Sequence, residues 1–186
     1  MKRILVVVDM QNDFIAGVLG TKEAQDIVDN VCEKIRAFDG EILVTLDTHE
    51  TDYLNTQEGV HLPVEHCIRN TDGWRLQEKV QSALSEKEAA GYKVAYFEKP
   101  TFGSTDLANY LAKRNADKPV EQITLIGVCT DICVVSNAIL LKAVLPEVEL
   151  VVDAACCAGV TPEKHQAALE LPDDWHCNYS GLSAHV

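Results

Sequence analysis

Gly127-Val128-Cys129-Thr130-Asp131-Ile132-Cys133 ends a β-branched apolar run and opens a helical pattern. A cysteine in the first turn of a helix sits among unpaired backbone N–H groups at the positive end of the helix dipole. Both favour the thiolate, the nucleophilic form of sulfur, and the same N–H groups can hold a developing oxyanion. Taken alone, the segment reads equally as two core thiols. Asp9 closes the apolar run Ile4-Leu5-Val6-Val7-Val8. A carboxylate there is costly to bury unless paired, so it is either a strand cap or a general base tuned by a neighbour. Lys99, whose backbone Pro100 keeps extended or turning, is the neighbour expected at the same edge; a solvated surface lysine is the alternative. In Asp47-Thr48-His49, residues two apart on a strand point to one side, so carboxylate and imidazole can converge on one ion. The loop beyond adds Glu58, His61, Glu65 and His66. Two histidines and two carboxylates suit zinc, iron or manganese, and a solvated polar loop is the competing reading.

These groups need elements to deliver them. Short apolar runs recur at Ile4 to Asp9, Glu41 to Asp47, Lys93 to Phe97, Gln122 to Gly127 and Val148 to Asp153. They are β-branched and apolar on both faces, the mark of strands buried in a parallel sheet. Helical patterns lie between and after them, at about Thr21 to Phe38, Gly73 to Glu88, Ser104 to Arg114, Thr130 to Val144 and Thr161 to Leu171. Ser104 and the Thr161-Pro162 pair read as helix starts. The alternation predicts right-handed crossovers and a three-layer α/β/α domain on an open, mostly parallel sheet of five to six strands. In such sheets ligands bind beyond the carboxyl ends of the strands, where Asp9, Asp47, His49, Glu98, Lys99, Cys129, Cys133 and Asp153 all fall. Thr48 to Asp72 is the one long irregular stretch, and loops of that length are usually functional or disordered.

The 186 residues suit one domain, 1–186. Twenty-nine acidic residues against 16 basic give a net charge of -13, which argues against nucleic-acid or membrane-surface binding. No apolar run is long enough to span a bilayer. The apolar start stops at Asp9 with no small-residue cleavage site after it, so the expected location is the cytoplasm. Seven cysteines in irregular spacing (32, 67, 129, 133, 156, 157 and 177) read as free thiols there, and no paired C-x2-C suggests a zinc knuckle.

Order and placement together are more specific than any one signal. The blocks Val8-Asp9-Met10-Gln11-Asn12-Asp13-Phe14, Asp47-Thr48-His49, Leu62-Pro63-Val64-Glu65-His66-Cys67, Glu98-Lys99-Pro100-Thr101-Phe102-Gly103-Ser104-Thr105 and Gly127-Val128-Cys129-Thr130-Asp131-Ile132-Cys133-Val134 resemble the isochorismatase-like cysteine hydrolases, and within them the nicotinamidase/pyrazinamidase group. The resemblance runs from residue 1 to about residue 170. It implies a Rossmann-like isochorismatase fold, a catalytic triad of Asp9, Lys99 and Cys133, and a cis bond between Val128 and Cys129, with the backbone N–H groups of Cys129 and Cys133 facing the oxyanion. It further implies an aromatic ring, Phe14, beside the substrate, and a divalent metal, zinc first with iron or manganese open, on Asp47, His49 and His66. Glu58 is the expected fourth ligand and His61 its competitor. Family members are commonly homo-oligomers.

The implied reaction is hydrolysis of a small carboxamide, nicotinamide to nicotinate and ammonia. Another amide, a ureido compound or a vinyl ether is the alternative within the family, although vinyl-ether chemistry does not need Cys133. A non-catalytic binding protein of the same fold is a further alternative, but it needs no charged pair beside a thiol. A redox or metal-storage role for Cys156-Cys157 is disfavoured, because adjacent cysteines make poor disulfides in regular structure. One departure stands out. Family members finish with a further strand, whereas the tail 172–186 here shows no apolar strand run, so the expected count stays at five to six strands.

Overall fold

The computed structural model describes residues 2–170 and the strand at 177–180. Strand β1 (Arg3–Val8) is followed by the helices α1 (Asn12–Ile15), α2 (Lys22–Asp26) and α3 (Val28–Ala37), then β2 (Glu41–Asp47). A 3-10 turn (Tyr53–Asn55) and α4 (Gln57–His61) lead to α5 (Glu78–Ala89) and β3 (Val94–Lys99). Next come α6 (Thr105–Asp117), β4 (Gln122–Val128), a π-helical turn (Thr130–Val134) and α7 (Val135–Val144). β5 (Glu149–Ala158), α8 (Pro162–Glu170) and β6 (Cys177–Ser180) complete the order.

The sheet order is β3-β2-β1-β4-β5-β6, and every pair is parallel. The chain therefore runs outward from β1 to β3, then returns to lay β4 on the other side of β1. That reversal opens a crevice between the carboxyl ends of β1 and β4. Period-two alternation makes both faces of β1 core. Ile4, Val6 and Val8 pack with α6 and α7, while Leu5 and Val7 pack with α3 and α5.

The structure departs from the sequence reading in several places. The stretch 21–38 is two helices divided at Ile27. Helix α5 starts at Glu78, and β5 runs on to Ala158. The long loop contains the 3-10 turn and α4. A sixth strand does form: residues 177–180 pair with β5 from Leu150 to Asp153. An edge strand is held by backbone hydrogen bonds along one side and needs no continuous apolar run. The rest of the tail 172–186 lies outside the described residues. The two expected helix starts behave as caps, with Ser104 Oγ accepting the Leu107 amide at 3.1 Å and Thr161 Oγ1 accepting the Lys164 amide at 3.3 Å.

Gly127 is where the sheet brings β4 hard against β1. Its φ is +118°, and an added Cβ would overlap the Val8 carbonyl oxygen. Gly127→Ala should therefore cost about 2 kcal/mol or more, a fall in melting temperature of roughly 4–8 °C for a chain of this length. Thermal unfolding followed by circular dichroism checks this, and an unchanged midpoint would show that the close approach is dispensable.

Candidate active site

Three strand ends and one turn meet at the carboxyl edge. Thr45 and Asp47 lie two apart on β2 and point to the face that carries Leu43, under α6 and α7. On β3, Lys99 pairs in register with Asp47 and shares that face. Asp9 follows Val8, so regular alternation would aim it at the opposite face. A left-handed φ of 48° breaks the alternation and turns it back; Asp and Asn tolerate that conformation better than most residues. Lys99 then crosses above β2 to Asp9. Two inter-strand spacings are roughly 10 Å, which the lysine stem and the aspartate side chain bridge together.

The contacts are short and buried. Lys99 Nζ lies 2.7 Å from Asp9 Oδ2 and 3.2 Å from Asp47 Oδ1, and 3.6 Å from Cys133 Sγ. Thr45 Oγ1 donates to Asp9 Oδ1 at 2.6 Å. Asp9 Oδ2, the oxygen that Thr45 does not occupy, faces the lysine ammonium. Asp9 and Lys99 are 0% and 1% exposed. Burial raises the Asp9 pKa above the usual carboxylate range, Lys99 opposes the rise, and the Asp47 charge adds to it. Burial works against the Lys99 charge, but Asp9, Cys133 and Asp47 outweigh it and the ammonium is held more firmly than usual. Burial pushes the Cys133 thiol well up, the Asp9 charge pushes it further, and Lys99 pulls it back. The helix start favours the thiolate, and desolvation of the buried sulfur works against it. Burial thus raises the proton affinity of the sulfur and of the carboxylate beside it.

Cys133 sits inside the π-helical turn rather than in a regular first turn. The wider turn directs the Ile132 and Val134 amides onto the Cys129 carbonyl, at 3.1 and 3.0 Å, and single π-turns of this kind are frequent at functional sites. The bond between Val128 and Cys129 is cis. Cys129 is half-buried, and its thiol is pushed up to about 12, chiefly by burial.

Beside this group stands a second cluster. The ligating atoms of Asp47, His49 and His66 all lie within 4.8 Å of one another. His49 Nε2 is 3.1 Å and His66 Nε2 3.4 Å from Asp47 Oδ2. Glu58 Oε1 is 3.7 and 3.9 Å from the same two nitrogens, delivered by α4, whose N-cap Thr56 accepts the Gly59 amide. His66 Nδ1 bonds the Val64 carbonyl at 2.8 Å, which turns Nε2 toward the cluster, a usual outer-shell arrangement for a ligating imidazole. Two imidazoles and two carboxylates in a buried pocket fit a divalent cation. His61 is exposed and bonds its own helix at Gln57 O, so it does not join. Glu65 is exposed, Glu98 pairs with Arg69, and Asp153 is tied to Lys34 at 2.6 Å; none joins either cluster. The Phe14 ring is 5.6 Å from the His66 ring. A cleft of about 830 Å³ borders the site, with Tyr53, Leu62, Phe102, His49, Glu58 and Lys99 in its wall.

Other residues, inside the quoted blocks and outside them, have structural work that the sequence did not reveal. Gln11, 0% exposed, clamps Asp47 by both main-chain groups: Oε1 accepts its amide at 2.7 Å and Nε2 donates to its carbonyl at 2.8 Å. Asp13 accepts the Cys67 amide next to His66 at 2.7 Å. Trp74 Nε1 donates to Thr48 Oγ1, and Asn137 Nδ2 donates to the Cys133 carbonyl at 2.8 Å. Gln11 and Asp13 stood in a quoted block with no role attached. Thr45 and Trp74 carried no signal, because their partners are distant in sequence, and Asn137 lies outside those blocks.

A family model for the isochorismatase domain matches residues 3–173. The chain belongs to the isochorismatase family. Among relatives of known name, the nicotinamidase/pyrazinamidase of Mycobacterium tuberculosis is 30% identical over 182 residues, covering 90% of this chain and 92% of that protein. The nicotinamidase of Saccharomyces cerevisiae is 26% identical over 177 residues, covering 74% and 80%. The isochorismatase fold is shared with a nicotinamidase/pyrazinamidase from Bacillus subtilis at a TM-score of 0.83, with 25% identity over 97% of this chain and 100% of that one. The pyrazinamidase of Pyrococcus horikoshii, solved in complex with zinc, superposes at a TM-score of 0.74, with 25% identity over 98% and 100%. Among the described residues, no helix is long and apolar enough to cross a membrane.

The two candidates for fourth ligand make a direct test. Glu58→Gln should lower affinity for zinc or cobalt at least about tenfold, while His61→Ala should leave it unchanged. Competition against a chromophoric chelator reads both, and equal retention by the two variants would remove Glu58 from the ligand set.

Proposed function

We propose that this chain is a cysteine-nucleophile amidohydrolase that converts nicotinamide, or a closely related small carboxamide, to the carboxylate and ammonia. The observation that carries the reading is one buried ammonium, Lys99 Nζ, 2.7 Å from Asp9 and 3.6 Å from the Cys133 sulfur. Asp9 takes the proton from the Cys133 thiol, and Lys99 stabilises the thiolate by charge. The sulfur attacks the amide carbonyl, and the oxyanion of the tetrahedral adduct faces the backbone N–H groups of Cys129 and Cys133. Asp9 returns its proton to the departing nitrogen; ammonia leaves and a thioester remains. Asp9 then accepts a proton from water as that water attacks the thioester. The carboxylate is released and the proton returns to sulfur.

Asp47, His49, His66 and Glu58 would hold a divalent cation, for which zinc is the first choice and iron or manganese the others. Bound there, it would supply a coordination site that orients a heteroaromatic ring nitrogen. Phe14 and the cleft wall confine the ring. Glu50, Asp52, Glu58 and Glu98 also lie in that wall, and its Arg69 is already paired with Glu50 and Glu98. That charge favours a neutral amide over an anionic ureido acid. A scaffold without catalysis has no use for a desolvated Asp–Lys pair beside a thiol. The family resemblance carries the further expectation of a cytoplasmic homo-oligomer.

Ammonia release from a panel of amides, nicotinamide first and with and without a chelator, tests the reaction. Cys133→Ala should abolish turnover with the fold intact, and Cys129→Ala should keep substantial activity; reversed results would sink the assignment. Asp9→Asn, which keeps a residue tolerant of the left-handed backbone, and Lys99→Ala should each lower kcat at least about a hundredfold. Full activity in either would take that residue out of the mechanism.

A further inference from the structure

The turn that carries Cys133 is held from outside by residues with no part in the chemistry above. Thr130 is buried, and its hydroxyl lies 2.7 Å from Nδ1 of His165 on α8. The next residue, Asp131, accepts the Val160 amide at 2.9 Å. The His165 amide donates to the Thr161 carbonyl at 2.9 Å, closing the first turn of α8 over this contact. Gly159 allows the approach: a Cβ there would sit 2.7 Å from the His165 nitrogen and 2.9 Å from Asp131 Oδ1. Two successive residues of the nucleophile turn are therefore bonded to the segment that opens α8. Asn137 holds the same turn from the α6 side, through the Cys133 carbonyl and the Ser104 amide.

We propose that His165 is a positioning residue for the reaction. Through the Thr130 hydroxyl it holds the backbone between Cys129 and Cys133, and so fixes the oxyanion-facing amides relative to the sulfur. His165 is half-buried, and burial favours its neutral ring, which can accept a hydrogen bond from the Thr130 hydroxyl at Nδ1 without placing a charge beside the sulfur. The proposal rests on the reading of Cys133 as nucleophile. Its physical basis is that a shift of about 1 Å in a reacting group can cost on the order of a hundredfold in rate.

His165→Leu should lower kcat for nicotinamide about ten- to a hundredfold, with KM within about threefold and metal content unchanged. His165→Asn, whose amide can occupy the place of Nδ1, should recover most of that loss. Thr130→Val removes the same contact while keeping the volume. It should reproduce the kcat defect and should add little to it in the double variant; it also serves if the leucine variant does not fold. The role is overturned by a kcat within twofold of the parent in both His165→Leu and Thr130→Val. It is overturned equally if the asparagine variant is as impaired as leucine, or if kcat, KM and melting temperature decline together, since either marks a merely structural contact. Cys133→Ala, assayed in parallel, separates the two failures. Turnover in that variant removes the nucleophile and the positioning role with it. An inert Cys133→Ala beside a fully active His165→Leu removes only the role of His165.

Discussion

Everything at the carboxyl edge of the sheet answers to the buried ammonium of Lys99. A lysine with 1% of its surface exposed is tolerable only if opposite charges replace the water it has lost. Asp9 and Asp47 do so from two different strands, and that requirement fixes the register of three. β3 must end beside Asp47, β2 must carry Thr45 and Asp47 on one face, and β1 must stop so that Asp9 turns toward that face. Among the described residues, the ammonium is also the one positive side chain placed to offset charge on the sulfur. Raised proton affinity at Asp9 and a raised pKa at Cys133 both follow from burial, and the same enclosure lets Lys99 act on each at close range.

Asp47 joins two sites. Oδ1 faces the ammonium, while Oδ2 faces His49 and His66. Its pKa is the exception in the group. Burial alone would raise it, but hydrogen bonds from both histidines and the Lys99 charge together hold it below the usual carboxylate range. Glu58 adds a second carboxylate on the Oδ2 side, and two carboxylates with two imidazoles suit a divalent cation. Gln11 keeps Asp47 at this junction by bonding its amide and its carbonyl at once, so the backbone is fixed while both carboxylate oxygens stay available.

Irregular backbone gathers where the chemistry is. Asp9 has a left-handed φ, Gly127 makes a close approach that a Cβ would block, and a π-turn replaces the opening of α7. All three flank the crevice between β1 and β4. Regular strands and helices would aim Asp9 at the opposite face and keep Cys133 in an ordinary helical turn. Such geometry persists when the surrounding core over-determines it, and here the strands behind it are buried on both faces.

The amino-acid sequence alone determined the layered α/β architecture, because fully apolar β-branched runs alternating with amphipathic stretches have few other ways to bury themselves. It also placed Asp9, Asp47, Lys99 and Cys133 at strand ends, and its ordered blocks carried the family. It left the count between five and six strands, because an edge strand is stabilised by backbone bonds that leave little trace in residue type. The desolvation of Cys133 escaped it too, since that depends on what covers the sulfur rather than on its position in a helix. Glu58 was separated from His61 only by the fold of α4, which turns one inward and the other to solvent. Thr45, Asn137, Trp74 and His165 touch partners 26 to 36 residues away, apart from the local Asn137–Cys133 bond. Such contacts exist only once the chain has closed, and so tertiary structure alone could assign them.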